Sequence, residues 1–406
     1  MTRQRLGFVF LNVGHFLDHL LMLVFATVAA LRLTQEWDLS YAALIPYATP
    51  GFIAFGLCAV PAGWLADKWS REGMMAIFFI GIGTASILAA FAQTPLQMGA
   101  GLLLIGVFAA IYHPVGLAMV VHGRDRTGMP LAINGVFGNL GVACAALLTG
   151  FMIDQAGWRN AFVLPGVVSI AVGLAYIWFM RTRPKHTAPT GEGTKGRGGT
   201  VVLGRGILVR VFAIVFFTTA VGGLIFQSTT FALPKVFDER LADLAASATT
   251  VGWYAFLVFT IAAFAQLVVG YLVDNHSVRT VFAFVAALQA VFFTVMVQLE
   301  GLMAFVVAVG FMLVVFGQIP INDVLVGRMT RSEWRSRVYA LRYIVTFSVS
   351  ATAVPTIAWV HSSWGFGALF ALLAVAAGLI FAAVMSLPGS GPIIEARPAL
   401  QGAGAD

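Results

Sequence analysis

The segment Gly63-Trp64-Leu65-Ala66-Asp67-Lys68-Trp69-Ser70-Arg71 closes one long apolar run and leads into another. Asp67 and Arg71 stand four apart at a helix end, where they can make charge-assisted contacts across an interface, and Gly63 permits close helix packing. The start of the segment recurs 207 positions later as Gly270-Tyr271-Leu272-Val273-Asp274. Trp158 has a similar echo in Trp364. Copies held at a nearly constant offset predict two related halves, and a site between parallel repeats can be opened to alternate sides by rocking one half against the other.

Outward from these copies, apolar runs cover 6–33, 42–65, 74–93, 96–121, 130–153 and 161–180, then 209–233, 249–273, 280–298, 302–327, 336–360 and 365–387. Each is close to the roughly 20 residues that span a bilayer core. A transmembrane barrel would alternate apolar and polar residues instead. The expected fold is an all-α membrane protein of about twelve transmembrane helices in two pseudo-symmetric six-helix bundles, residues 1–180 and 209–387. Between them, 181–208 holds Arg181, Arg183, Lys185, Lys195, Arg197 and Arg205 among seven glycines, with Glu192 the lone acid. That composition predicts a flexible linker. Residues 388–406, rich in Gly, Pro and Ala, predict a disordered tail.

Composition agrees with a membrane setting. Hydrophobic residues make up 60% of the chain, charged residues 10%, and the mean hydropathy is +0.91; a soluble domain carries roughly 25% charged residues. The net charge of +7 raises nucleic acid as a partner. The basic residues, however, sit in short connections, with no basic helix or aromatic-interleaved stripe, so no nucleic-acid binding is expected. With the amino terminus inside, 19 of the 24 basic residues fall in inner loops, 4 in outer loops, and Arg342 within a helix. The acids divide 8 to 7, as expected when only cations obey the positive-inside bias. Both termini and the linker are therefore expected in the cytoplasm, and the short loops and Ala/Gly/Val-rich composition point to a bacterial inner membrane. The first run follows Arg3 and Arg5 and imitates a signal peptide, but its middle carries His15, Asp18 and His19, so it reads as a retained helix. Cys58 and Cys144 lie in apolar runs and make neither a disulfide framework nor a structural zinc site.

The first helix holds the most informative chemistry. At about 100° per residue, Asn12, His15, Asp18, His19 and Met22 share one 120° stripe. Asp18 lies about 18 Å into the helix at 1.5 Å per residue, near the midplane, where an ionisable group normally faces a cavity or a partner. Histidine titrates near physiological pH, so the cluster could load and release protons or polarise a substrate. The alternatives are a static hydrogen-bonded knot between helices, or a divalent-metal site of Asp18, His15, His19 and His113, since imidazole and carboxylate suit first-row metals. His113 lies at a similar depth in the fourth helix and precedes Pro114, which can kink that helix and expose carbonyls. In the second half, Gln318-Ile319-Pro320-Ile321-Asn322-Asp323 faces Arg342 at similar depth. Arg342 could bind an anionic substrate bidentately, or pair with Asp323 as a switch or a static lock. Gln227 and Asn134 are weaker candidates for cavity hydrogen bonds. Lipid contact accounts for most of the 34 phenylalanines, which define no aromatic pocket by themselves.

The Gly63–Arg71 segment resembles the signature of the major facilitator superfamily, Gly-x-Leu-x-Asp-Arg/Lys-x-Gly-Arg, with Ser70 in place of the usual glycine and Glu72 where a base is common. The resemblance implies a cytoplasmic latch at Gly63, Asp67 and Arg71, and a central cavity lined by helices 1, 4, 5, 7, 10 and 11. Within the superfamily, His15-Phe16-Leu17-Asp18 and Ile111-Tyr112-His113-Pro114-Val115-Gly116 resemble the fosmidomycin-resistance-like branch, which implies proton-driven drug efflux. The expected function is secondary active transport by a monomer, as proton-coupled export of a small hydrophobic or phosphonate-like compound. Alternatives are uptake of a small organic anion through Arg342 and divalent-metal transport through the first-helix cluster. Outside transport stand a membrane-embedded enzyme and a transport-dead sensor. No Walker motif is present, so ATP is not expected as the direct energy source, and no cofactor is expected. The partners expected are substrate, protons and lipid.

Overall fold

The computed structural model describes residues 2–122, 124, 128–182, 205–329, 341, 342 and 344–387, with Asp323 described only in its backbone. The expectations for the tail 388–406 and for most of the linker (183–204) lie outside the described residues. Among the described residues, eleven stretches are helical, long and apolar enough to cross a membrane. They are α1 Arg3–Glu36, α2 Tyr41–Lys68, α3 Arg71–Ala89, α4 Pro95–Val121, α5 Met129–Gln155, α6 Arg159–Arg181, α7 Val209–Arg240, α8 Ala248–Asn275, α9 Val278–Met296, α10 Gly301–Val326 and a final stretch Ile344–Met385. Gly365 interrupts the last with φ 74° and ψ −176°, a conformation that glycine adopts without strain. The final stretch is therefore two crossings, α11 (344–364) and α12 (366–385), and the described residues form the twelve-helix, all-α architecture that the apolar runs predict.

Polar caps set several helix boundaries inside this apolar chain. Ser40 accepts from the Ala43 amide at 3.2 Å, Ser70 from Gly73 at 2.9 Å, Thr94 from Gln97 at 3.3 Å and Ser247 from Thr250 at 3.2 Å. Each satisfies a donor that a helix start leaves without an internal partner. Ser70, the departure from the superfamily pattern, is thus the cap of α3. Pro114 has the predicted effect on α4, where residues Tyr112–Gly116 widen into a π-turn, a relaxation that accommodates a missing backbone donor.

Each half is closed on itself. Arg3, at the start of α1, donates to the Phe179 carbonyl at 2.5 Å near the end of α6. Arg279, at the start of α9, donates to Met385 at the end of α12, at 2.8 Å. In each half an arginine at the start of one helix thus holds the end of that half's last helix. The halves meet along two helix pairs that the repeat makes equivalent, α5 with α8 and α2 with α11. Small residues bring the backbones close: a Cβ at Gly252 would lie 2.7 Å from the Ala146 carbonyl oxygen, and one at Gly56 would lie 3.0 Å from the Phe347 Cβ. At the end away from the termini, the Asp154 carboxylate accepts from the Thr249 amide at 2.7 Å. There too, the Tyr41 ring packs edge-on against His361, centroids 5.5 Å apart. Large apolar side chains such as Phe91, Leu96, Trp178 and Trp359 point outward, as lipid contact allows. By contrast α1 is the most enclosed helix, with 72% of its apolar window buried against 33–56% in the others. The helix carrying the ionisable stripe is the one most removed from lipid.

Candidate functional site

The stripe on α1 meets residues of α4 and α5, and the three segments build one buried cluster. His15 Nδ1 lies 2.8 Å from the Asn134 carbonyl oxygen. A carbonyl only accepts, so Nδ1 carries the proton and Nε2 presents a lone pair. That lone pair faces His19 Nε2 at 3.1 Å, one helical turn away. The His113 ring stands edge-on to His15, centroids 5.3 Å apart, and its Nε2 is 3.7 Å from an Asp18 oxygen. The metal-ligating nitrogens of His15, His19 and His113 all fall within 4.8 Å of one another. Every residue of the first-helix candidate set, with His113, is thus brought together.

Asp18 is fully buried, and neither of its oxygens has a hydrogen-bond partner. A carboxylate in a low-dielectric interior is stabilised by a cation or by protonation, and an uncompensated one costs several kcal/mol. Asp18 and His113 thus form a close carboxyl–imidazole pair in the interior.

A neutral scaffold fixes the imidazoles. Asn134 donates from Nδ2 to Asn12 Oδ1 and to the Tyr112 hydroxyl, both at 2.9 Å. Tyr112 in turn donates to the Leu11 carbonyl at 2.7 Å, and its ring stacks on His15 at 4.7 Å. One turn beyond Asn134, Gly138 leaves space for the His15 ring, since a Cβ there would fall 2.6 Å from His15 Nε2. Asn12 and Asn134 are therefore supports of the cluster. Tyr112 and Gly138 join the site only through the fold, although the i, i+4 spacing of Asn134 and Gly138 puts both on one helix face.

The second-half candidates lie apart and have a different chemistry. Asn322 accepts from the Thr218 hydroxyl at 3.2 Å, and Gln318 accepts from Gln289 at 2.7 Å. Gln227 is buried on α7, its Nε2 without a hydrogen-bond partner. Arg342 is buried near the start of α11. The expected pair with Asp323 falls outside the described residues. Gln289, a buried member of this amide chain on α9, carried no signal in the sequence beyond a polar residue in an apolar helix.

The latch residues depart from the expected cross-interface arrangement. Arg71, at the start of α3, donates to Asp67, at the end of α2, at 2.8 Å, and both side chains are exposed to solvent. Gly63 packs on the α4 π-turn, where a Cβ would sit 3.3 Å from the Pro114 Cβ. The described contacts of the motif are thus made inside its own half.

Comparison with known proteins agrees with this architecture. Residues 11–242 and 240–402 both match the Major Facilitator Superfamily, and the chain belongs to that superfamily. The curated relatives that it resembles are named as transporters. Over 150 residues it is 26% identical to a gallate transporter of Pseudomonas putida, covering 36% of this chain and 33% of that protein. Over 169 residues it is 24% identical to a probable sulfoacetate transporter of Cupriavidus necator, covering 41% of this chain and 39% of that one. The chain thus spans between a third and two fifths of the length of these curated relatives. Its fold is similar to a bacterial homologue of the human lysosomal transporter Spinster in an inward-facing, unoccupied conformation, with a TM-score of 0.72 and 15% identity over 95% of this chain and 98% of that one.

Proposed function

We propose that this protein is a proton-coupled secondary transporter of a small organic anion, and that Asp18 with His15, His19 and His113 carries the coupled proton. The observation behind this reading is the buried Asp18 carboxylate, without hydrogen bonds and 3.7 Å from His113. Asparagine or glutamine would satisfy a purely structural knot. An ionisable cluster at membrane depth is retained where charge must come and go. An anion entering a cell works against the membrane potential, about 2.3 kcal/mol per charge per 100 mV, and a proton bound alongside it cancels that cost. Buried Arg342 would offer the anion a planar, permanently charged partner, and the names of the gallate and sulfoacetate relatives support the same cargo class. Both termini are assigned to the cytoplasmic side of a bacterial inner membrane, on the distribution of basic loop residues.

The test is flux into liposomes holding purified protein, with the outside acidified. Accumulation of gallate, sulfoacetate or a related small acid, abolished by a protonophore, is the expected result. Movement of lipophilic drugs from the lumen to the acidified outside instead, with no acid transported, would replace symport by the antiport export that the first- and fourth-helix segments imply.

A second reading rests on the three imidazoles. Their ligand nitrogens cluster within 4.8 Å, and His15 donates its other ring N–H to a carbonyl, as metal-bound histidines do. On this reading the cargo is a divalent transition metal. Co2+ added to the purified protein would then give ligand-field absorption that His15→Ala abolishes, and proteoliposomes would take up the metal. A featureless spectrum and no metal uptake would exclude it.

A further inference from the structure

The proton cluster belongs to the first half, but part of its cover comes from the second. Phe347 on α11 lies 5.3 Å from the His113 ring and 4.7 Å from Phe55 of α2, and Phe55 is 5.6 Å from His113. The three rings close a triangle across the boundary between the halves. Next to Phe55, Gly56 admits the Phe347 backbone, and a Cβ there would come within 3.0 Å of Phe347 Cβ. Beneath this triangle both ring nitrogens of His113 and both oxygens of Asp18 are sealed from solvent.

We propose that Phe347, seated against Phe55, is a positioning residue that sets when water reaches the His113–Asp18 pair. The physical reasoning is geometric. His113 and Asp18 are carried by α4 and α1 and move with the first half, whereas Phe347 moves with the second. Any rocking that separates α2 from α11 withdraws Phe347 from His113 and opens the pair to water. Re-closure expels that water and cuts the pair off from exchange with bulk protons. Access of protons is thereby tied to the relative position of the halves, with no further moving part. The inference rests on the reading that this cluster carries the coupled proton, but its test does not depend on transport.

The experiment is histidine modification by diethyl pyrocarbonate, read site by site by mass spectrometry on the purified full-length protein. His122 and His276, both exposed, serve as internal references. In Phe347→Ala, modification of His113 and His19 should rise several-fold while the reference sites stay constant. Phe347→Leu should return the rates toward wild type, because it restores an apolar cover of similar volume. Phe55→Ala provides a second route to the same exposure should Phe347→Ala fold poorly. Unchanged rates at His113 and His19 in either folded alanine variant would overturn the proposal. If gradient-driven flux survives in Asp18→Asn while Phe347→Ala still exposes His113, the cover stands and the coupling assignment fails. If coupling fails in Asp18→Asn but the cover variants expose nothing, the reverse holds.

Discussion

The two halves share a design and differ in what they bury. In the first, α1, α4 and α5 enclose three imidazoles and a carboxylate on a scaffold of asparagine, tyrosine and glycine. In the second, α7, α9 and α10 enclose a chain of neutral amides and hydroxyls, from Gln289 through Gln318 to Thr218 and Asn322. The first set can change charge and the second cannot. The repeat therefore supplies a frame on which one half carries an ionisable cluster and the other a chain of fixed hydrogen bonds.

This contrast can be broken most severely from the first half. Asn134→Ala removes a donor shared by Asn12 and Tyr112. At about 1 kcal/mol for each buried bond, and more for the groups left unpaired, coupled flux should fall at least about tenfold. The thermal midpoint should fall as well, and a stable, fully coupled Asn134→Ala would remove the scaffold from the account. In the second half, Gln318→Leu should raise the substrate KM without altering the ratio of protons to substrate. A change in that ratio would mean that the amide chain takes part in coupling. The smallest effect belongs to Asp67→Asn. Its partner Arg71 sits across the α2–α3 break and is exposed, and exposed pairs are worth about 0.2–1 kcal/mol. Turnover should slow by no more than about twofold in the inward-closing step, with the melting temperature unchanged. A large slowing would imply that the motif reaches the other half in a conformation that differs from this one.

The sequence made the first half far more legible than the second. Ionisable residues inside an apolar run stand out at once, and the 3.6-residue period of a helix puts Asn12, His15, Asp18 and His19 on one face without any tertiary information. The matching depth of His113 rested on counting residues from a helix end, and it held. The amide chain offered no such contrast. Gln289 and Gln318 come from different helices, neither carries charge, and only packing joins them. The latch shows a different limit. Four-residue spacing allows Asp67 and Arg71 either to bond each other or to reach across an interface, and only coordinates choose between them. The boundary between α11 and α12 was legible, because His361-Ser362-Ser363 separates the two apolar runs, and the positive φ of Gly365 breaks the helix just beyond them.

The central claim is that Asp18 takes up and releases the coupled proton, and one pair of assays on Asp18→Asn in liposomes tests it directly. Asparagine keeps the shape of the side chain but cannot change charge between the two open states. Accumulation driven by a pH gradient should be lost, while counterflow, which exchanges substrate without net proton movement, should continue at a rate near wild type. Full gradient-driven accumulation in Asp18→Asn, with an unaltered pH profile, would contradict the account.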